Sequence, residues 1–194
     1  YEIRLINTEL SSQFMTHVST SLYLSLLFVS PYIVVELYRY IAPALYENER
    51  RYSVSVAVAI FFLFVLGVLM SYYVLFPFAL RFLGTYQVAA DVVNQINLSS
   101  YISTFVTLTL MMGLVFQLPV LSFFLAKMGV LEASFMRQYR RHAFVLIGVV
   151  AAVITPPDLF TCFMVMIPMY GLYELSILIV EKAGRDTRAR TASA

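Results

Sequence analysis

Side chains able to bind, titrate or attack are scarce in this sequence, and they stand where apolar runs are interrupted. Glu47, Glu49, Arg50 and Arg51 crowd into IAPALYENERR at residues 41–51. Gln117 lies within GLVFQLP, Thr155 and Asp158 bracket the turn TPPD, Cys162 follows shortly after, and Glu174 interrupts PMYGLYELSIL. These residues form no soluble-enzyme signature, since GxSxG, HExxH and GxxxxGK[ST] are all missing. Glu47 and Glu49 are not a catalytic dyad by spacing alone, and in a charged loop they read as solvated carboxylates. The one cysteine excludes an internal disulfide framework and a cysteine-cluster metal site. His17 and His142 stand far apart without ligand partners, which suits interfacial histidines better than metal ligands. No catalytic residue, metal or cofactor is expected, and the chain is not read as an enzyme.

The elements that carry these residues follow from composition. Of 194 residues, 61% are hydrophobic and 12% charged, against about 25% charged in an ordinary soluble domain. The apolar residues come in blocks rather than stripes, the pattern of an all-α, polytopic membrane bundle. Spans are expected at about 16–40, 54–78, 101–127, 141–154 and 159–180, within a single transmembrane domain covering residues 1–194. The fourth is short; the consecutive prolines of TPPD end it and let the fifth begin at once. Residues 184–194, GRDTRARTASA, read as a disordered cytoplasmic tail. The connection Phe82–Ser103 is long, and its moderate amphipathic character predicts a short interfacial helix around Val88–Ile96.

Charge sets the orientation. Arg39, Arg50, Arg51, Lys127, Arg137, Arg140, Arg141, Lys182, Arg185, Arg188 and Arg190 fall on one side of this topology, and only Arg4 and Arg81 on the other. By the positive-inside rule the C-terminus is cytoplasmic and the visible N-terminus is outside. The chain opens at Tyr1 with nothing ahead of its first span to carry an outside N-terminus across. Six spans with both ends inside are therefore expected of the intact protein. The net charge of +2 gives no reason to expect nucleic acid.

Polar residues are costly in lipid and mark function or helix contacts. Gln117 suits either a helix–helix hydrogen bond or a surface that faces a partner. Glu174 suits either a functional carboxylate or one near the cytoplasmic end that reaches water or a basic neighbour. Pro31, Pro77, Pro119 and Pro168 are expected to curve the bundle, and Gly67 and Gly113 to let helices approach closely.

Taken in order, IAPALYENERR, GVLMSYYVLFPFALRF, GLVFQLPV, RQYRRHA, ITPPD and IPMYGLYELSI resemble the TatC family, the core membrane subunit of the twin-arginine protein translocase. The resemblance covers nearly the whole chain and implies a concave, glove-like bundle of six helices, the last two short. It implies a bacterial inner-membrane receptor that recognises twin-arginine signal peptides. Such a receptor exports folded proteins with single-span TatA- and TatB-type partners, driven by the proton motive force, and self-associates in a receptor complex. Glu49 matches the family's loop glutamate that engages the arginine pair, with Tyr40, Pro43, Leu45, Tyr46 and Arg51 in the same patch. Gln117, Thr155, Asp158, Cys162 and Glu174 would be polar, partner-facing positions, with Ile167 and Met169 in the docking region of the last span. Many family members carry glutamate where this chain has Gln117, so a titratable proton is lost there. The competing reading is a small-solute transporter or channel, which the kinks and Gln117 would allow. The lack of internal repeats and of intramembrane charge argues against it.

Overall fold

In a hydrocarbon environment each backbone N–H and C=O must find its partner within the chain, so long apolar runs fold as helices. The computed structural model describes residues 5–6, 11–41, 53–86 and 96–192. Its helices are α1 (Ser12–Ile41), α2 (Ser53–Met70), α3 (Phe76–Thr85), α4 (Leu98–Val115), α5 (Leu118–Lys127), α6 (Ala133–Gln138), α7 (Arg140–Ile154) and α8 (Leu159–Ala192). A π-helical turn, Ser71–Leu75, joins α2 to α3. Two short strands, β1 (Leu5–Ile6) and β2 (Ile96–Asn97), pair in parallel, Leu5 opposite Ile96 and Ile6 opposite Asn97.

Among the described residues, four stretches are long and apolar enough to cross a membrane: Ser12–Leu37, Val56–Thr85, Leu98–Lys127 and Leu159–Gly184. The remaining expected span corresponds to α7, whose 15 residues give roughly 22 Å of helix, short of a hydrocarbon core of about 30 Å. At the C-terminus the structure corrects the sequence reading, since α8 runs on as helix to Ala192 where a disordered tail was expected from residue 184. Arginine and alanine are good helix formers, and after Gly184 nothing in the sequence breaks the helix already running. The interfacial helix expected at Val88–Ile96 falls mostly on residues 87–95, outside the described residues, and Ile96 belongs to β2.

The four transmembrane prolines divide into two kinds. Pro31 and Pro168 sit inside α1 and α8. Pro77 follows on the π-helical turn that joins α2 to α3, while Pro119 stands in the first turn of α5, where a missing N–H costs no intrahelical bond. Pro119 thereby explains why the expected span 101–127 is two helices, α4 and α5, separated at Phe116–Gln117. After α5, Gly129 adopts φ 73°, a left-handed conformation that glycine takes without steric cost. The reversal is closed by bonds from the Gly129 and Val130 amides to Ala126 and Leu125 carbonyls.

The core forms where α3, α4, α7 and α8 converge. Leu75, Phe76 and Ala79 meet Leu108, Met112 and Phe116, then Ile147, Ala151 and Ile154, and Val165, Met169 and Leu172. A smaller cluster of Met136, Ile177 and Val180 lies where α6 packs on α8. Helix α1 leans on α4 and α2 from outside, with Phe14, Leu22 and Phe28 exposed. On a membrane-spanning bundle such apolar exposure is the lipid-facing surface.

Glycine sets the spacing of α2 and α4. A Cβ on Gly67 would lie 2.6 Å from the Met112 carbonyl oxygen, and one on Gly113 would lie 2.6 Å from the Phe64 ring. Ser71 and Thr109 then meet across the same seam, their hydroxyls 3.3 Å apart, and Thr109 donates to the Phe105 carbonyl at 2.7 Å.

The ends of the bundle are fixed by cross-contacts. Phe82 of α3 stacks on Phe160 at the start of α8. Arg137 of α6 pairs with Glu181 near the other end of that span. Ser53 is nearly thirty residues before Phe82, roughly 43 Å along the helix. The ends of α2 and α5 thus reach the same end of the bundle as α6.

Two glycine substitutions test this packing in opposite directions. Gly67→Ala should lower thermal stability in detergent by the equivalent of about 1–3 kcal/mol, because rigid backbone opposes the new methyl. Gly171→Ala, where no atom lies within 4 Å of the new Cβ, should be neutral or stabilising by up to about 1 kcal/mol. Equal melting temperatures for the two variants would contradict the close approach.

Candidate functional site

The polar residues singled out from the sequence, where described, occupy four separate places. The first is the end of α1. Tyr40 is in its last turn and 85% exposed, and Arg39 reaches back to Glu36 at 2.8 Å. Pro43, Leu45, Tyr46, Glu49 and Arg51 lie outside the described residues.

The second place is the break between α4 and α5. Gln117 is buried there, and its side-chain amide donates to the Ile60 carbonyl of α2 at 3.1 Å and, more weakly, to the Gly113 carbonyl at 3.5 Å. Both acceptors are main-chain oxygens, so the site demands a donor. A carboxylate at this position would turn its negative charge toward two carbonyl dipoles. The Gln117 Oε1 is also buried and has no hydrogen bond among the described residues.

The third place is the turn between α7 and α8. Thr155 is buried and donates its hydroxyl to the Ala151 carbonyl at 2.9 Å. Asp158 Oδ1 accepts the Thr161 amide at 2.6 Å, an N-terminal cap for α8. The Asp158 carbonyl takes the Cys162 amide at 3.3 Å, which leaves the Cys162 thiol half-buried one turn into the helix. Thr155, Asp158 and Cys162 are thus gathered around one turn. Of the two apolar positions expected beside them, Ile167 is exposed and Met169 is in the core.

Glu174 stands apart, sixteen residues along α8 from Asp158. Its carboxylate accepts from Arg140 of α7 at 2.7 Å and from the Tyr170 hydroxyl at 3.2 Å. The adjacent Tyr173 donates to the Met136 carbonyl of α6 at 2.7 Å. With the Arg137–Glu181 pair, these contacts clamp α6 and α7 to α8. Among the described residues no group of three His, Cys, Asp or Glu side chains could hold a metal ion.

Residues 1–168 match the family model described as "Sec-independent protein translocase protein (TatC)". The chain belongs to the TatC family. It is 36% identical over 179 residues to the "Sec-independent protein translocase protein TatC" of Blattabacterium sp. subsp. Periplaneta americana, a match covering 92% of this chain and 67% of the relative. It is 40% identical over 171 residues to the protein of the same name from Helicobacter pylori strain J99, covering 86% of this chain and 67% of the relative. A crystal structure described as "Twin Arginine Translocase Receptor- TatC" superimposes with a TM-score of 0.83 at 30% identity, covering 94% of this chain and 80% of that one. The chain is thus a membrane-embedded, TatC-type component of a protein translocase, a transport role rather than a catalytic one.

Within a TatC chain these places do different work. The helix-break glutamine and the capped turn each satisfy backbone groups that a broken or reversed helix leaves open. Arg140 is the basic neighbour that one reading of Glu174 expected, though the sequence did not name it, and the hydroxyl pair of Ser71 with Thr109 escaped the sequence reading. Their spacings along the chain carry no periodic signal. RQYRRHA does place arginines near a tight reversal, and that was the available hint for Arg140.

Capping at the turn can be tested directly. Asp158→Ala should cost about 0.5–2 kcal/mol of stability, while Asp158→Asn, which keeps an acceptor, should stay near the parent in detergent melts. Equal losses in both variants would mean that Asp158 does not act through the cap.

Proposed function

We propose that this chain is the membrane core that reads twin-arginine signal peptides and exports folded proteins with TatA- and TatB-type single-span subunits, using the proton motive force. The observation that carries the reading is the likeness, at TM-score 0.83 over 94% of the chain, to a protein described as a twin-arginine translocase receptor. In support, α1 and α2 bracket the segment that holds ENERR, at the end of the bundle where Arg137 and Arg140 also lie.

Glu49 receives the arginine pair. A carboxylate accepts two parallel N–H bonds from a planar guanidinium, and an ammonium cannot reproduce that fork, so lysines are poor substitutes. Tyr40, Pro43, Leu45 and Tyr46 shape the platform around it, and Arg51 anchors the loop. This end faces the cytoplasm of a bacterial inner-membrane protein, with the visible N-terminus periplasmic and the C-terminus cytoplasmic, and receptor chains self-associate. The partner subunits dock along the buried break at Gln117 and the turn carrying Thr155, Asp158 and Cys162. Gln117 contributes there through a hydrogen bond and not through charge. Glu174 steadies the cytoplasmic end through Arg140.

Glu49→Ala in the full-length protein should abolish export of twin-arginine cargo while membrane levels stay normal. Export at the parental rate would refute the assignment of Glu49. Gln117→Leu should reduce co-purification of the single-span partners more than it lowers the melting temperature. Undiminished co-purification would show that Gln117 serves the bundle alone.

A further inference from the structure

Arg81 breaks the charge pattern. Lys127, Arg137, Arg140, Arg141 and Lys182 lie with α6, the end of α5 and the later part of α8, whereas Arg81 sits in α3 at the opposite end, beside the start of α8. Arg39, Arg137 and Arg140 each hold a carboxylate. Arg81 is exposed and holds none among the described residues.

The guanidinium does not stand on bare surface. It lines a cavity of about 430 Å³ together with Phe78, Phe82, Thr85, Tyr86 and Phe160. Phe82 stacks on Phe160 with ring centroids 4.7 Å apart and planes 19° apart, which builds the floor from two helices. Tyr86 closes one side, its ring 5.8 Å from that of Phe82. The Thr85 hydroxyl is turned back onto the Arg81 carbonyl. The lining thus offers one positive charge over a wall of aromatic rings, with no carboxylate among the described residues.

Two apolar stretches end at this point: Val56–Thr85 finishes and Leu159–Gly184 begins. In a bilayer that level is the boundary between hydrocarbon and headgroup, where aromatic side chains gather and phosphates lie. We propose that this groove binds one anionic glycerophospholipid, its phosphodiester on Arg81 and its upper acyl chain against Phe78, Phe82 and Phe160. Charge decides the headgroup class. A zwitterionic lipid balances its own phosphate and so leaves the Arg81 charge unmatched among the described residues of the lining. An anionic lipid leaves no charge unmatched. The bound lipid would fill the outer face of the Phe82–Phe160 joint and so brace α3 against α8.

Native mass spectrometry of the chain, released from nanodiscs of equal phosphatidylglycerol and phosphatidylcholine, reads this site. The parent should retain phosphatidylglycerol selectively. Arg81→Gln should lower that selectivity about fivefold, the effect of one basic residue near a charged bilayer surface. Arg141→Gln, which removes an equal charge from an exposed residue at the other end, should leave it unchanged. Phe160→Ala, checked for parental helicity and elution volume, should also lower retention, and Arg81→Lys should fall between parent and glutamine. Selectivity unaltered in Arg81→Gln, or reduced equally in Arg141→Gln, would overturn the site. Full retention by Phe160→Ala would remove the groove and leave only a surface charge.

Discussion

The closeness of α2 to α4 is the constraint on which the rest of this bundle depends. Lipid gives helices no hydrophobic reason to associate, so packing and hydrogen bonds must hold them. Gly67 and Gly113 bring the two backbones near enough for Ser71 to meet Thr109 and for Gln117 to reach the Ile60 carbonyl. Each such polar contact is worth only about 0.6 kcal/mol on average within a membrane. Their importance lies in geometry. They seat the break at Phe116–Gln117 against a fixed helix, and the break then directs α5 onto α8. Through α8 the placement extends to α6 and α7 by way of Arg137, Arg140 and Tyr173.

What the sequence revealed, and what it hid, follows from the same physics. Spans were legible because hydrocarbon forces long apolar runs into helices, and the core residues of α4 and α8 lie inside those runs. Gly67 and Gly113 stood out as small residues in bulky surroundings, and their role is the expected one. The prolines marked the interruptions, though not their form. Pro119 opens a new helix where a kink was expected, and the π-helical turn ahead of Pro77 has no residue signature of its own. The continuation of α8 through Arg185–Ala192 was hidden by polar composition, which reports poor burial and says little about backbone propensity. Gln117 was recognised as a buried amide, but its acceptor, a main-chain oxygen fifty-seven residues earlier, could come only from the fold.

The candidate site divides along the same line. Thr155, Asp158 and Glu174 could be picked from the chain because polar groups in apolar surroundings are conspicuous, whereas Tyr40 and Cys162 came from the family resemblance. That Thr155 and Asp158 serve the α7–α8 turn, while Glu174 serves a separate clamp, depends on contacts between helices. Under the proposed function, a rigid frame of this kind would hold the recognition segment at one end while partners dock along its flank. Glutamine at the α4–α5 break fits a frame in which that position donates hydrogen bonds to backbone oxygens.

The most direct measurement places a photo-crosslinker at Glu49 in the full-length protein in membranes. A twin-arginine signal peptide is then presented beside its twin-lysine counterpart. Strong labelling of the arginine peptide with little of the lysine form is expected if residues 42–52 read the guanidinium pair. Equal labelling of both, or labelling of neither, would contradict the receptor reading.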